Sequence, residues 1–239
     1  MKITTLLTNV RDALKSPQLD INLFRDAAKE NNPFFFETVS DFYHSAIKRH
    51  PKFPLIRNLQ YGMALFPLPE THDDYLKMLA SSARRNIKKA KRQGYEFKRI
   101  NYNDYLDDIS AIHGSTAVRQ GAMDPEFLTQ KLKPIHNPES LDECHDYPYF
   151  GVIKDGTVVA YAGCLVAGEM LLLATIFGHD KYKSDGIVPF LIASIAEYKY
   201  NNYPHVKYYV YDKYYGASDS LRSFKRKFRF EPHTVNWQF

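Results

Sequence analysis

Apolar residues recur along the chain with two spacings, and the change falls near residue 149. Before it the spacing is helical. Leu6, Val10, Ala13 and Leu14 share one face, and Leu19, Leu23, Phe24 and Ala27 share another, closed by Asn31-Asn32-Pro33. Phe35, Val39, Phe42, Tyr43 and Ala46 follow at the same spacing, so residues 1–50 predict three helices. Pro51 and Pro54 break the pattern, and residues 55–68 read as strand and loop. Over residues 72–93, Leu76, Leu79, Ala83, Ile87 and Ala90 step by three and four, with Thr71 and Asp74 as the start and Gly94 as the stop. Tyr95 to Ile100 predicts a strand, residues 104–114 and 125–133 predict helices, and the prolines of 134–148 predict loop.

From residue 149 the spacing becomes that of strands. Tyr149–Ile153, the turn Lys154-Asp155-Gly156 and Thr157–Leu165 predict a hairpin, because Asp-Gly suits the left-handed turn that joins twisted strands. Gly168-Glu169 makes a second turn. Met170–Phe177 is an apolar run of strand length, expected to be buried on both faces. Ile187–Tyr200 predicts a helix, Val206–Tyr211 a strand, Ser220–Phe228 a short basic helix and Pro232–Phe239 a last strand. The order β-β-β-α-β-α-β predicts an α/β fold: a mixed central sheet flanked by helices. Residues 1–70 would form a helical N-terminal extension and residues 71–239 the main domain.

Composition adds little until it is localised. The 239 residues are 44% hydrophobic and 25% charged, which is ordinary for a globular protein. A net charge of +5 is too mild by itself to imply a polyanionic partner. Between Lys77 and Arg99, however, nine bases stand against one acid, Glu96. These bases avoid the apolar stripe, so the helix is either a solvated face or a phosphate-binding one. Arg84, Arg85 and Lys88 are the candidate contacts, since guanidinium groups grip phosphate bidentately.

The two cysteines, Cys144 and Cys164, make no disulfide framework. There is no run of 18 apolar residues and no leader-like segment, so a cytoplasmic protein with no membrane span is expected. No CxxC, HxxxH, Walker loop or Gly-x-Ser-x-Gly elbow occurs, so no metal is expected.

A second site candidate lies between the apolar strand and the helix that follows it, His179-Asp-Lys-Tyr-Lys-Ser-Asp-Gly-Ile187. A strand-to-helix turn leaves backbone N–H groups aimed at an anion, and Gly186 carries no side chain to obstruct it.

This order of elements, with Lys183-x-x-Gly186-x-Val188 and the closing Lys225-Arg226-Lys227-Phe228-Arg229-Phe230, resembles the GNAT acyltransferase superfamily. Ala83-Arg84-Arg85-Asn86-Ile87-Lys88-Lys89-Ala90, Gly94 and Leu221-Arg222-Ser223-Phe224-Lys225 resemble its FemAB-type branch. The resemblance covers residues 72–239. It implies a gap between the fourth and fifth strands that receives the donor, with backbone N–H groups near Ile176 and Phe177 on the donor carbonyl. It implies a donor pyrophosphate on Lys183, Ser184, Asp185, Gly186 and Ile187. Lys225 stands where many members carry a general-acid Tyr, and Arg229 replaces a Gly.

Lys225 is then a candidate for offsetting the charge on the leaving group, with Tyr211, Tyr214 and Tyr215 as alternative acids. His179, Asp212 and Glu169 are candidate bases for the acceptor's proton. Arg119-Gln120-Gly121 is a candidate acceptor-binding loop. Acetyl-CoA or another acyl-CoA is the first expectation for the donor, with transfer to an amine of a small acceptor. That acceptor carries phosphate, as a nucleotide-linked amino sugar does, if the basic helix is functional. The alternative is a FemAB-type transferase with aminoacyl-tRNA as donor. Such enzymes usually carry two GNAT-like halves, and residues 1–70 are too short for the second, which favours coenzyme A. A non-catalytic binding module on the same scaffold is the third reading.

Overall fold

The computed structural model describes residues 11–13, 15–51, 55–118 and 125–239, with the side chains of residues 126 and 127 left out. In chain order these form β1 (Gln18–Asn22), α1 (Arg25–Glu30), α2 (Pro33–Ile47), β2 (Tyr61–Pro67), α3 (His72–Met78), α4 (Ser81–Arg92) and β3 (Glu96–Ile100). There follow α5 (Leu106–Gly114), α6 (Pro125–Thr129), β4 (His145–Asp146), β5 (Tyr149–Lys154), β6 (Thr157–Ala167) and β7 (Met170–Gly178). The chain closes with α7 (Ile187–Asn202), β8 (Tyr208–Lys213), α8 (Asp219–Lys227) and β9 (Glu231–Gln238). One mixed sheet runs β1-β9-β2-β8-β7-β6-β5-β3, with β4 beside β6.

The order β-β-β-α-β-α-β from residue 149 onward is realised as β5, β6, β7, α7, β8, α8 and β9. Asp155 (φ 50°) and Gly156 (φ 82°) make the tight turn between β5 and β6. Alternation along the strands sorts side chains to two faces. Ala160 and Ala162 point to a core built with α3, α4 and α7, and Tyr161 joins Ile109 and Ile112 of α5 on the other side; Val158 joins it there because Val159 is an extra residue against β5. A third cluster sets Val39 and Ala46 of α2 against β1, β2 and β9. Among the residues of α7, Ile187, Leu191, Ile192 and Ile195 are all fully buried. At about 1.5–3 kcal/mol for each such side chain, this helix anchors the sheet.

Three expectations need correction. Residues 18–22, expected in a helix, are strand β1. It lies parallel to β9, from Gln18 beside Thr234 to Asn22 beside Gln238, and a pairing across the whole chain overrides the local helical spacing. Sheet strands at 18–22 and 61–67 also mean that residues 1–70 are not wholly helical.

The helix expected over 72–93 is two helices. Ala80 is extended (ψ 145°), and its N–H donates to the carbonyl of Lys227 at 3.0 Å, so the break is tied down by the end of α8. The Thr71 start holds, with its Oγ1 accepting from Asp74 N at 3.1 Å.

Finally, β7 is buried only in its first half. Met170, Leu171 and Leu173 are buried, but Ala174 is exposed and Thr175 to Gly178 are half-buried.

Candidate active site at the parting of two strands

The half-buried end of β7 has a local cause. β7 and β8 pair in parallel at Met170–Tyr208, Leu171–Tyr209 and Leu172–Val210, and the ladder ends there. Each strand carries an extra residue just beyond that point. On the β6 side, Cys164 pairs with Leu173 and Gly163 with Thr175, so Ala174 is the extra residue of β7. On the β2 side, Leu65 pairs with Val210 and Met63 with Lys213, so Tyr211 and Asp212 oppose the single residue Ala64. A bulge bends its strand and increases its twist. Two bulges at one level, on strands that part there, open a wedge between the C-terminal halves of β7 and β8.

Asp212 sits at the mouth of the wedge, exposed and in the left-handed region (φ 50°). That conformation costs a residue with a Cβ about 1–2 kcal/mol. Lys225 of α8 holds the bulge from behind. Its Nζ donates to the carbonyls on either side of Asp212, Tyr211 O at 2.6 Å and Lys213 O at 2.7 Å. It lies 4.6 Å from the centre of the Tyr211 ring and is 1% exposed. Burial lowers its pKa to about 8, and the negative charge of Asp212 works against that fall.

The other sequence candidates fall in several places. Ile176 and Phe177 lie on the splayed end of β7. Phe177 packs against Tyr161 at a tilt and meets His113 edge to face, at ring distances of 5.9 and 5.2 Å. Tyr211 is buried against Phe230, and burial pushes its phenol up, so it packs rather than titrates. Tyr215 lies over Gly62, where a Cβ would come within 2.2 Å of its ring. His179 caps the short 3-10 turn Asp180–Asp185, with Nδ1 accepting from Lys181 N at 3.2 Å. This uses the lone pair a base would need. Glu169 is at the far end of β7, holding Asn22 N and the Lys207 ammonium. Arg119 and Gln120 lie outside the described residues.

The turn assigned to pyrophosphate is docked on α4. Gly186 has φ 82°, and a Cβ there would meet the Asn86 carbonyl oxygen at 2.5 Å, so its missing side chain makes room for α4. Lys89 donates to Ser184 O at 2.8 Å and pairs with Asp185 at 3.1 Å. Tyr95 and Gln93 also donate to the Asp185 carboxylate, and these bonds hold its pKa below the usual range. Lys183 pairs with Asp180 at 2.8 Å. At the start of α7, Ile187 and Val188 carry N–H groups and Pro189 has none.

Along α4, Arg85, Asn86, Lys88, Lys89, Lys91 and Arg92 line a groove of about 660 Å³, and Asn86 and Lys89 also meet the turn. Arg84 does not join it. Its Nη1 donates to the Lys77 carbonyl at 3.1 Å, capping α3.

Sequence reasoning missed a cleft of about 670 Å³ beside α8, lined in part by Lys15, Tyr214, Tyr215, Arg222 and Arg226. The spacing Asp219, Arg222, Arg226, one face of a helix, was the available signal. It also missed the buried pair His113 Nε2 to Tyr161 Oη at 2.6 Å. Among the described residues no group of three or more His, Cys, Asp or Glu could hold a metal ion. Among the described residues no helix is long and apolar enough to cross a membrane.

No family model matches the chain, and no curated protein matches it. Solved structures do. The structure of FemX aligns with 72% of this chain and 59% of its own length, at 11% identity and a TM-score of 0.56. The C-terminal domain (DUF2156) of a putative lysylphosphatidylglycerol synthetase from Agrobacterium fabrum aligns with 72% of this chain and 57% of its own, at 15% identity and a TM-score of 0.47. A GCN5-related N-acetyltransferase from Kribbella flavida covers 59% of this chain and 47% of its own, at 13% identity and a TM-score of 0.34. The chain therefore spans less than two thirds of the length of each of these structures. Identities this low speak for fold alone. With strands that part after Leu172 and Val210, the chain has a GNAT-like fold that it shares with FemX.

Proposed function

We propose that the chain is an acyltransferase that joins an acyl group to an amine in the wedge between β7 and β8. The observation that carries this reading is the paired bulge, which opens the sheet beside a strained, exposed carboxylate. Strain of this kind persists where the surroundings over-determine it, as they do at reactive sites. The donor carbonyl lies along the splayed end of β7, where backbone N–H groups polarise it. The amine attacks the carbonyl carbon, Asp212 takes its proton, and the bond to the carrier breaks. The carrier leaves as an anion that is then protonated. Lys225 fixes the bulge and places a positive charge behind Asp212.

For the donor we favour an acyl group carried on RNA over one carried on coenzyme A. Gly186 is pressed against Asn86 and Asp185 stands before α7, so the turn offers little to a pyrophosphate. The groove on α4 instead presents a row of bases suited to a polyanion.

The test is binding of total tRNA and of acetyl-CoA at 50 and 200 mM salt, followed by transfer assays. The RNA reading expects tRNA binding that falls steeply with salt, with a slope reduced by about 1 in Arg85→Ala. Acetyl-CoA binding that persists at 200 mM salt returns the donor to coenzyme A. With either donor, Asp212→Asn lowers the transfer rate by about 10²–10⁴-fold. Transfer at the wild-type rate by this variant sinks the role of Asp212, and binding of neither donor sinks the acyltransferase.

A further inference from the structure

We propose that the cleft between α8 and the segment before β1 is the acceptor site, and that it grips an anionic group, phosphate or carboxylate, on a small molecule. Its role as acceptor site rests on the acyl-transfer reading, but its anion affinity does not. The cleft measures about 670 Å³, a size typical of small-molecule pockets. From α8, Asp219, Arg222 and Arg226 line it, and from the segment before β1, Asp12 and Lys15.

The lining holds three acids and three bases, and two arginines just outside it tip the balance toward positive charge. Asp219 is paired with Arg222. Asp12 lies 3.8 Å from Arg11 and Glu231 lies 3.7 Å from Arg229, and neither of those arginines lines the cleft. Every acid of the lining thus has a partner. Among the described residues, the ion pairs of these acids involve neither Lys15 nor Arg226. Two such cations on opposite walls of a concavity attract an anion, and a guanidinium binds its oxygens in a fork.

The rest of the lining fits the rest of a small molecule. Tyr214 and Tyr215 meet edge to face, with ring centres 5.6 Å apart, and offer aromatic contact beside the cations. The groove on α4, lined by bases and one Asn, lacks that feature. The cleft is also close to the proposed chemistry. Tyr214 is two residues beyond Asp212, at most roughly 7 Å away through the chain. An amine acceptor anchored by its anion between Lys15 and Arg226 would present its other end toward the bulge.

The experiment measures thermal stabilisation by inorganic phosphate and by acetate at constant ionic strength. It compares the wild type with Arg226→Ala, Arg226→Lys, Lys15→Ala, Arg85→Ala and Asp212→Asn. Phosphate or acetate should stabilise the wild type. The apparent affinity should fall at least tenfold in Arg226→Ala and recover in part in Arg226→Lys. Arg85→Ala and Asp212→Asn should bind like the wild type. Stabilisation by phosphate alone identifies a phosphoryl group, and stabilisation by both ions extends the site to carboxylates. An unchanged response in Arg226→Ala overturns the proposal, and so does a response lost in Arg85→Ala but kept in Arg226→Ala. Anion binding that depends on Arg226 supports the cleft even if no acyl transfer is found. Loss of transfer in Asp212→Asn with anion binding intact separates the two claims.

Discussion

The two halves of β7, Met170–Leu173 and Ala174–Gly178, differ in their neighbours and in their burial. Met170–Leu172 lies between β6 and β8, and Met170, Leu171 and Leu173 are buried, while Ala174–Gly178 keeps β6 on one edge and loses β8 on the other. Ile176 and Phe177 are large and apolar like Leu171 and Leu173, yet they are half-buried, so hydrophobicity alone does not decide which residues are core in this sheet. The neighbouring strand does, and the neighbour departs because of one extra residue on each side.

The sharpest way to break this comparison is to truncate one side chain in each half. Leu171→Ala, from a side chain 1% exposed, should cost about 2–5 kcal/mol. Ile176→Ala, from the half-buried end, should cost about 1 kcal/mol or less. Urea denaturation reads both, and equal losses would mean the wedge is packed as tightly as the core.

A smaller effect sharpens the role of the bulge. Lys225→Met leaves the Tyr211 and Lys213 carbonyls without their donor and should cost about 2 kcal/mol. The same residue has a pH signature. Its pKa falls from 10.5 to about 8 on folding because burial disfavours the charge. Between those values the unfolded chain holds a proton that the folded chain lacks, so stability rises with pH from about 8 to 10.5. The rise should be missing from stability curves of Lys225→Met. If the variant keeps it, another group is responsible.

The smallest effect is a gain. Asp212→Gly should stabilise the fold by about 1 kcal/mol by relieving the left-handed conformation at φ 50°. Transfer should be lost at the same time. A destabilised Asp212→Gly would show that the carboxylate supports the fold rather than the chemistry.

These contrasts explain what the sequence could disclose. The hairpin at Asp155-Gly156, the helix from Ile187 and the α/β order are set by neighbours along the chain, so spacing and turn chemistry reveal them. β1 is set by β9, whose partner residues lie at the other end of the chain, and nothing near Leu19 announces it. The wedge is hidden for a similar reason. Ala174 is an unremarked apolar residue until its partners on β6 are counted. Lys225, Asp212, Ile176 and Phe177 were legible as candidates, and the structure gathers them at the ends of β7, β8 and α8. Gly186 was legible as a place where a side chain is intolerable, but the approaching group is the Asn86 backbone. Arg84 and Arg85 are adjacent in sequence, yet the helix sends one to cap α3 and the other to the groove.

The paired bulges also bear on how such a protein changes over evolutionary time. Removing Ala174 alone would restore an unbroken register with β6 and exchange the faces of Thr175 to Gly178. Removing one residue at Tyr211–Asp212 would do the same against β2. The opening in the sheet thus rests on two single extra residues, each one codon long. A lineage can acquire or erase it by in-frame slippage of three nucleotides, leaving every helix and the rest of the sheet in place.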